Sequence, residues 1–391
     1  MGIKQNAVGS KRAVESRRLQ TGASVQSDSD SREYYWFRSA PPAGATGPKV
    51  ALESSSQSGM SAVTPRFISG RATGTESSSQ SAGSGALFRA FDFCRRVCYY
   101  GRWHLTFAAR KGSEADLAHS VAFCNIEPPV NFSYADPFLF TNGGKTYIFF
   151  EIYSRTSHGV IAYCEILGPG RCTEPRVILE APYHLSYPFV FHWENEIYLI
   201  PESLGNETVD LYRAVAFPDR WALDRTLMAG VKFADTTLHF EGDTWWLFTG
   251  HQGAGAKAIS ELHLFMSESP QGPWRSHPRN PVVVGEHCSR PAGRLFHMGP
   301  QLVRPGQDSS RLYGEAIWLN RVDVLSPTEY RESPLMRLEA ASLPRSCRTH
   351  TLDFNEHWQV QDGLRYVPRF RWSRAILPEI PFPAKANSDE A

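Results

Sequence analysis

Residues Ala135–Glu151 read ADPFLFTNGGKTYIFFE. A short apolar strand, a polar turn and a second strand rich in aromatics follow one another. Asn142-Gly143-Gly144 has hairpin-turn chemistry, because Asn and Gly tolerate the positive φ that tight turns require. The pattern returns without a gap at Ser186–Glu202 (SYPFVFHWENEIYLIPE) and at Ala234–Gly250 (ADTTLHFEGDTWWLFTG). A looser copy, SRPAGRLFHMGPQLVRP, spans Ser289–Pro305. The copies start about 50 residues apart, which is the spacing of propeller blades.

Each copy is followed by a further strand candidate: Val160–Ile166, Thr208–Ala214, Leu262–Ser267 and Ala316–Val322. An outer strand such as Arg176–Leu179 completes a four-stranded blade. No long helical period intervenes, which argues against a βαβ fold. Two more segments supply a fifth blade. Thr349–Gly363 (THTLDFNEHWQVQDG) reads as two strands around a turn, and Gly101–Arg110 (GRWHLTFAAR) as a lone strand that joins it. The expected fold is therefore all-β, a five-bladed β-propeller over residues 86–381, with blades starting near 135, 186, 234, 289 and 349. Ring closure leaves only short sheet edges and so keeps an all-β chain soluble.

The flanks differ in composition. Residues 1–85 hold Ser/Gly/Gln tracts such as TESSSQSAGSGA, with few large apolar side chains. Such a segment cannot bury enough surface to offset its ordering entropy and is expected to be disordered. Met60 is an alternative start. Residues 382–391 are expected to form a loose tail. The chain has 391 residues and a formal net charge of +1, so no global field points to nucleic acid or an anionic membrane. No stretch approaches the roughly 20 apolar residues of a membrane span, and the N-terminus lacks the apolar core of a secretory signal. The seven cysteines (Cys94, Cys98, Cys124, Cys164, Cys172, Cys288 and Cys347) show no zinc-ligand spacing. Ordinary reduced thiols favour a reducing, cytoplasmic compartment. No metal or cofactor is expected.

In a propeller the inner strands line a central channel, so equivalent positions near their starts converge at one mouth. The second position of the four copies reads Asp136, Tyr187, Asp235 and Arg290. Packing alone would favour small or apolar residues there. The ends of the first two hairpins add Glu151 and Glu202. The fourth copy offers Arg304 near its end with Gln307 and Asp308 just after it, and His184 precedes the second. Glycosidic cleavage needs one carboxylic acid to protonate the leaving oxygen and a second carboxylate to activate the nucleophile. Asp136 is the candidate base, Asp235 the orienting or pKa-setting acid, and Glu202 the candidate proton donor. Tyr187, His184, Glu151, Arg290, Arg304, Gln307 and Asp308 are candidate substrate-binding residues. Plainer roles exist for several of them. Asp-Pro often caps a turn, Arg290 and Arg304 could pair with Asp308, and His184 fits a hydrogen-bonded loop histidine with no metal partner.

YADPFLF, YIFFE, HLSYPFVF, YLIPES, DLYRA, FADTTLHF, WWLF, SRPAGR and RPGQDSSRLYG occur in that order. This series resembles the N-terminal propeller domain of the plant glucosamine inositolphosphorylceramide transferase family and its stand-alone bacterial relatives. The resemblance runs from Trp103 to Gly363. It implies kinship with the five-bladed propellers of glycoside hydrolase families 43 and 32. Asp136 matches the base of family 43, and Asp235 its pKa-modulating aspartate. The general-acid glutamate of that family comes from a later blade, where this chain carries Arg290 and Gln307-Asp308. Glu202 would have to act from a different blade. The plant transferases also carry a separate glycosyltransferase domain, for which the residues after the propeller are too few.

Two functions follow as expectations. One is a carbohydrate-active propeller acting on a glycan or glycoconjugate by glycosidase-like or glycosyl-transfer chemistry. The other is a non-catalytic sugar-binding module that serves a separate glycosyltransferase. A purely protein-binding scaffold would not need the paired Asp136 and Asp235.

Overall fold

The computed structural model describes residues 98–110, 123–256 and 258–369. The leader at 1–85, Cys94, both proposed propeller boundaries and the tail at 382–391 lie outside these residues. Strands β1 (Tyr99–Ala109) and β2 (Cys124–Ile126) precede the first repeat. Blade I comprises β3 (Phe132–Asn142), β4 (Lys145–Ser154), β5 (Val160–Gly168) and β6 (Arg171–Cys172), with β7 (Arg176–Leu179) also paired to β5. Blade II comprises β8 (Ser186–Trp193), β9 (Glu196–Ser203), β10 (Thr208–Ala216) and β11 (Arg220–Ala229). Blade III comprises β12 (Phe233–Glu241), β13 (Thr244–His251), β14 (Glu261–Ser267) and β15 (Arg275–Ser276), with β16 (Val283–Val284) on β14. Blade IV comprises β17 (Phe296–Met298), β18 (Gln301–Asp308), β19 (Ala316–Leu325) and β20 (Tyr330–Glu339). Blade V comprises β21 (Leu352–Phe354) and β22 (Trp358–Pro368), completed by β1 and β2.

Five antiparallel sheets thus make the expected five-bladed propeller. The ring is closed by β1, which pairs with β22 from Tyr99↔Pro368 to Ala109↔Trp358. Strands from the two ends of the propeller share one sheet, so the blades cannot separate without breaking that ladder.

Apolar side chains fill every gap between blades. Leu105, Phe107 and Val360 of blade V meet Ile148, Phe150 and Cys164 of blade I. Phe140, Phe149 and Tyr163 of blade I meet Val190 and Leu199 of blade II. Phe191, Ile200 and Leu211 of blade II meet Leu238 and Leu247 of blade III. Trp246 and Phe248 of blade III meet Leu302 and Tyr330 of blade IV, and Val303 and Ile317 of blade IV meet Leu352 of blade V. Alternation along β13 explains the Trp245-Trp246 pair. Trp246 packs towards blade IV and Trp245 towards blade II, because successive strand residues face opposite ways. Each fully buried aromatic contributes on the order of 1.5–3 kcal/mol.

The inner strands are cross-tied by one side chain. Arg294, just before β17, donates through Nε to Asp353 Oδ2 at 3.1 Å. Its Nη2 donates to the carbonyls of Leu139 (3.4 Å) and Val190 (2.5 Å). One guanidinium thereby ties the inner strands of blades I, II and V to blade IV. Among the described residues Cys98, Cys124, Cys164, Cys172, Cys288 and Cys347 are free thiols, and no helix is long and apolar enough to cross a membrane.

Candidate functional site

The repeat has a backbone signature at its second position. In blades I, II and III the inner hairpin slips register at the same place, between Ala135 and Phe138, Ser186 and Phe189, and Ala234 and Thr237. Asp136, Tyr187 and Asp235 each sit in the slip with left-handed φ values of 52°, 46° and 54°. Non-glycine residues adopt this conformation at a cost of roughly 1–3 kcal/mol, and such bulges re-aim a side chain. The cost is met three times at one structural position, and it directs those three residues away from the ordinary strand alternation. Blade V slips by one as well, between Arg348↔Leu364 and Leu352↔Gln361. His350 there occupies the place of Asp136.

Four of these blades and their neighbours build one cluster. Asp136 is 4% exposed, and its Oδ1 accepts a 2.7 Å hydrogen bond from the Thr351 hydroxyl. His350 Nε2 lies 3.8 Å from the same oxygen. The other ring nitrogen of His350 contacts Asp362. Asp362 also accepts from the backbone N–H groups of Asp136 (3.2 Å), His350 (2.8 Å) and Thr351 (3.1 Å). Burial disfavours a charged His350, but the Asp362 carboxylate outweighs it and raises the imidazole to about 8. Burial lifts Asp136 to about 7; His350 opposes the shift, while Asp235, Glu151 and Asp362 reinforce it. Trp103 stacks on His350 at 4.1 Å between ring centroids.

Asp235 is fully buried and clamped. Arg290 binds both of its oxygens, Oδ2 through Nε and Oδ1 through Nη2 at 3.2 Å. Gln307 Nε2 donates to Oδ2 at 3.0 Å. Arg290 Nη2 also lies 3.5 Å from Glu202 Oε2. Burial and the adjacent Asp235 charge push the Glu202 carboxyl well above the usual range, against the pull of Arg290. The Tyr313 ring lies 5.4 Å from the guanidinium, with 45% of its surface in solvent. His184 Nε2 lies 2.8 Å from Glu151 Oε1, and the Gly159 N–H donates to His184 Nδ1 at 3.0 Å. That donation assigns the His184 proton to Nε2. Gly159 must lack a side chain, since a Cβ there would stand 2.5 Å from Glu151 Oε1 and 2.4 Å from Leu185 O.

The structure therefore brings together Asp136, Glu151, His184, Glu202, Asp235, Arg290 and Gln307. Three further candidates, Tyr187, Arg304 and Asp308, are engaged elsewhere by hydrogen bonds and ion pairs. Tyr187 is fully buried, accepts from the Gly293 N–H at 2.8 Å and bonds Thr237 Oγ1 at 2.9 Å. It joins blades II, III and IV. Arg304 is also fully buried, donating to Glu332 (2.6 and 2.7 Å) and to Cys288 O (2.8 Å). Asp308 accepts from Ser310 Oγ (2.7 Å) and Arg337 Nε (3.0 Å), so it caps a loop of blade IV. Arg304 and Asp308 are thus both ion-paired, each with a different partner. His350, Asp362, Tyr313 and Trp103 were not anticipated. Extending the repeat's second position into THTLDF would have singled out His350.

Residues 110–357 match the family described as "Glucosamine inositolphosphorylceramide transferase 1, N-terminal". Glucosamine inositolphosphorylceramide transferase 1 of Arabidopsis thaliana is 39% identical over 215 residues, 54% of this chain and 28% of that protein. The Oryza sativa subsp. japonica protein of the same name is 37% identical over 238 residues, 58% of this chain and 31% of that protein. The chain thus spans less than a third of the length of these relatives. Zg3597, a family 117 glycoside hydrolase of Zobellia galactanivorans, is similar with a TM-score of 0.44 and 12% identity, over 68% of this chain and 90% of that one. The α-L-arabinanase of Cellvibrio cellulosa, solved with arabinohexaose, is similar with a TM-score of 0.40 and 11% identity, over 51% and 77%. Together with a family 43 enzyme of Bacillus licheniformis (TM-score 0.41, 13% identity, 53% of this chain and 45% of that one), these are likenesses of fold. They do not bear on family 32. Because the family match covers well over half of its residues, the chain belongs to the glucosamine inositolphosphorylceramide transferase 1 N-terminal family.

Proposed function

We propose that the carboxyl-lined mouth binds a glycan or glycoconjugate and transfers its glycosyl group, with Glu202 as proton donor and Asp136 as base. The supporting observation is the contrast between carboxyls in one cluster. Glu202 is held neutral by burial and by Asp235, Asp136 titrates near 7, and Asp235 is clamped by Arg290 and Gln307. Pairs of carboxyls whose environments differ in this way can divide acid and base roles. Glu202 gives its proton to the leaving glycosidic oxygen as that bond breaks. Asp136 takes the proton of the incoming hydroxyl, from water or an acceptor sugar, as its oxygen bonds to the anomeric carbon. Tyr313, with a part-exposed ring, and His184 form the rim where a sugar face and its hydroxyls would rest. The names of the relatives suggest a sugar-bearing inositol phospholipid, or its headgroup, as the substrate class.

A second reading is supported by Arg290. It neutralises Asp235 and approaches Glu202, as suits a sugar-binding module that serves a separate glycosyltransferase. Turnover and binding separate the two readings. Purified protein is assayed for sugar release from a panel of aryl glycosides and glucosaminyl-inositol headgroups, and for binding by calorimetry. Catalysis predicts that Asp136→Asn lowers turnover about 10²–10⁴-fold while binding changes little. It also predicts a rate that rises with pH through about 7, as Asp136 loses its proton. Binding without turnover, equal in wild type and Asp136→Asn, would establish the accessory role instead.

A further inference from the structure

At the end of blade III remote from Asp235, side chains of two blades share one point. His239 and Glu241 are two apart on β12 and therefore lie on one face of the strand. His297 comes from β17 of blade IV. The Nε2 atoms of both imidazoles lie 3.0 Å from the same oxygen, Glu241 Oε2. All three donor atoms lie within 4.8 Å of one another.

We propose that His239, Glu241 and His297 form a binding site for a divalent transition ion of the zinc type. Two imidazoles and one carboxylate suit zinc, cobalt or nickel rather than magnesium or calcium, which prefer oxygen ligands. Ligands bonded at 2.0–2.1 Å around a tetrahedral ion stand roughly 3.3 Å apart. The observed 3.0 Å contacts thus need only a slight spreading to admit one. Each imidazole would carry its proton on Nδ1 and coordinate through Nε2. His239 is the anchored ligand, with 13% of its side chain exposed, whereas Glu241 and His297 are 43% and 46% exposed and leave an entry path. Glu241 and His297 also border a recess of about 390 Å³, with room for a water as fourth ligand. The ion would clamp blade III to the inner strand of blade IV, which is only Phe296–Met298 long.

Two other clusters bring donor atoms equally close, and they are less suitable. Asp136, His350 and Asp362 are already committed to Thr351 and three backbone N–H groups. His251, Glu261 and His263 belong to blade III alone, so an ion there would join no second blade.

The test uses chain without a histidine tag, stripped with chelator and titrated with Co²⁺ and Zn²⁺. The expected result is one Co²⁺ per chain with visible ligand-field absorption, and a higher Tm with Zn²⁺. His297→Ala and Glu241→Gln should each weaken binding at least tenfold, while the metal-free Tm stays close to wild type. His263→Ala should bind as wild type does. The proposal is overturned if neither ion binds, if His297→Ala and Glu241→Gln bind normally, or if His263→Ala alone abolishes binding.

Discussion

Blades I to III and blades IV and V present opposite chemistry at the same mouth. The first three place Asp136, Tyr187 and Asp235 in left-handed register slips and add Glu151 and Glu202 from the neighbouring strands. The last two reply with Arg290 and His350, neither of which has a left-handed φ. The strained half supplies four of the acids, and the relaxed half supplies the counter-charges together with the fifth acid, Asp362 of β22. Neither half is a complete site. Five carboxyls gathered on the axis could not stay buried without cations from across the ring, since buried charge must be paired.

The largest test of this division removes the cation. Arg290→Met leaves Asp235 and Glu202 side by side with only Gln307 for company. Losing one partner of a buried pair costs about 3–5 kcal/mol, readable as a lower midpoint in denaturant. A loss below about 1 kcal/mol, the scale of a surface pair, would mean that the two halves are not electrostatically coupled. Tyr187→Phe is next. It strands the buried Gly293 N–H and should cost about 1–3 kcal/mol, with little effect on binding at the mouth. An unchanged Tm would contradict the structural role given to that phenol.

The third effect depends on pH. Folding raises His350 from 6.5 to about 8, so the native state holds its proton more tightly than the unfolded chain does. Its contribution, on the order of 2 kcal/mol, is complete below pH 6.5 and fades as pH rises through 8. Wild type should therefore lose stability across that window relative to His350→Asn. Parallel stability curves for the two proteins would show that His350 is not held charged by Asp362.

How much of this was legible depended on the blade. Copies I to III align without a gap because their hairpins share one length and one register slip, so Asp136, Glu202 and Asp235 could be singled out by position. Blade IV was legible only in outline. Its inner strand shrinks to Phe296–Met298, and Arg294 leaves the strand pattern to bond Asp353 and the carbonyls of Leu139 and Val190. Arg304 carried a signal like that of Arg290, a cation near one end of a repeat copy. Only the partners distinguish them: Glu332 lies 28 residues further on and captures Arg304 inside blade IV. In blade V, Asp362 and Trp103 hold His350 from strands far apart in the chain, and the pairing of β1 with β22 that unites them leaves no local pattern. The metal-like triad stayed hidden for the same reason, since His297 joins His239 and Glu241 only when blades III and IV meet.

The central claim is that closing the ring drives carboxyls at one mouth towards neutrality. Infrared titration of carboxyl protonation in wild type and Asp136→Asn tests it without any substrate. The account predicts a buried carboxyl that protonates near pH 7 in wild type and is missing from the Asp136→Asn spectrum, with a second, from Glu202, still protonated at neutral pH in both. Spectra in which every carboxyl is ionised above about pH 5, near the reference values for Asp and Glu, would contradict it.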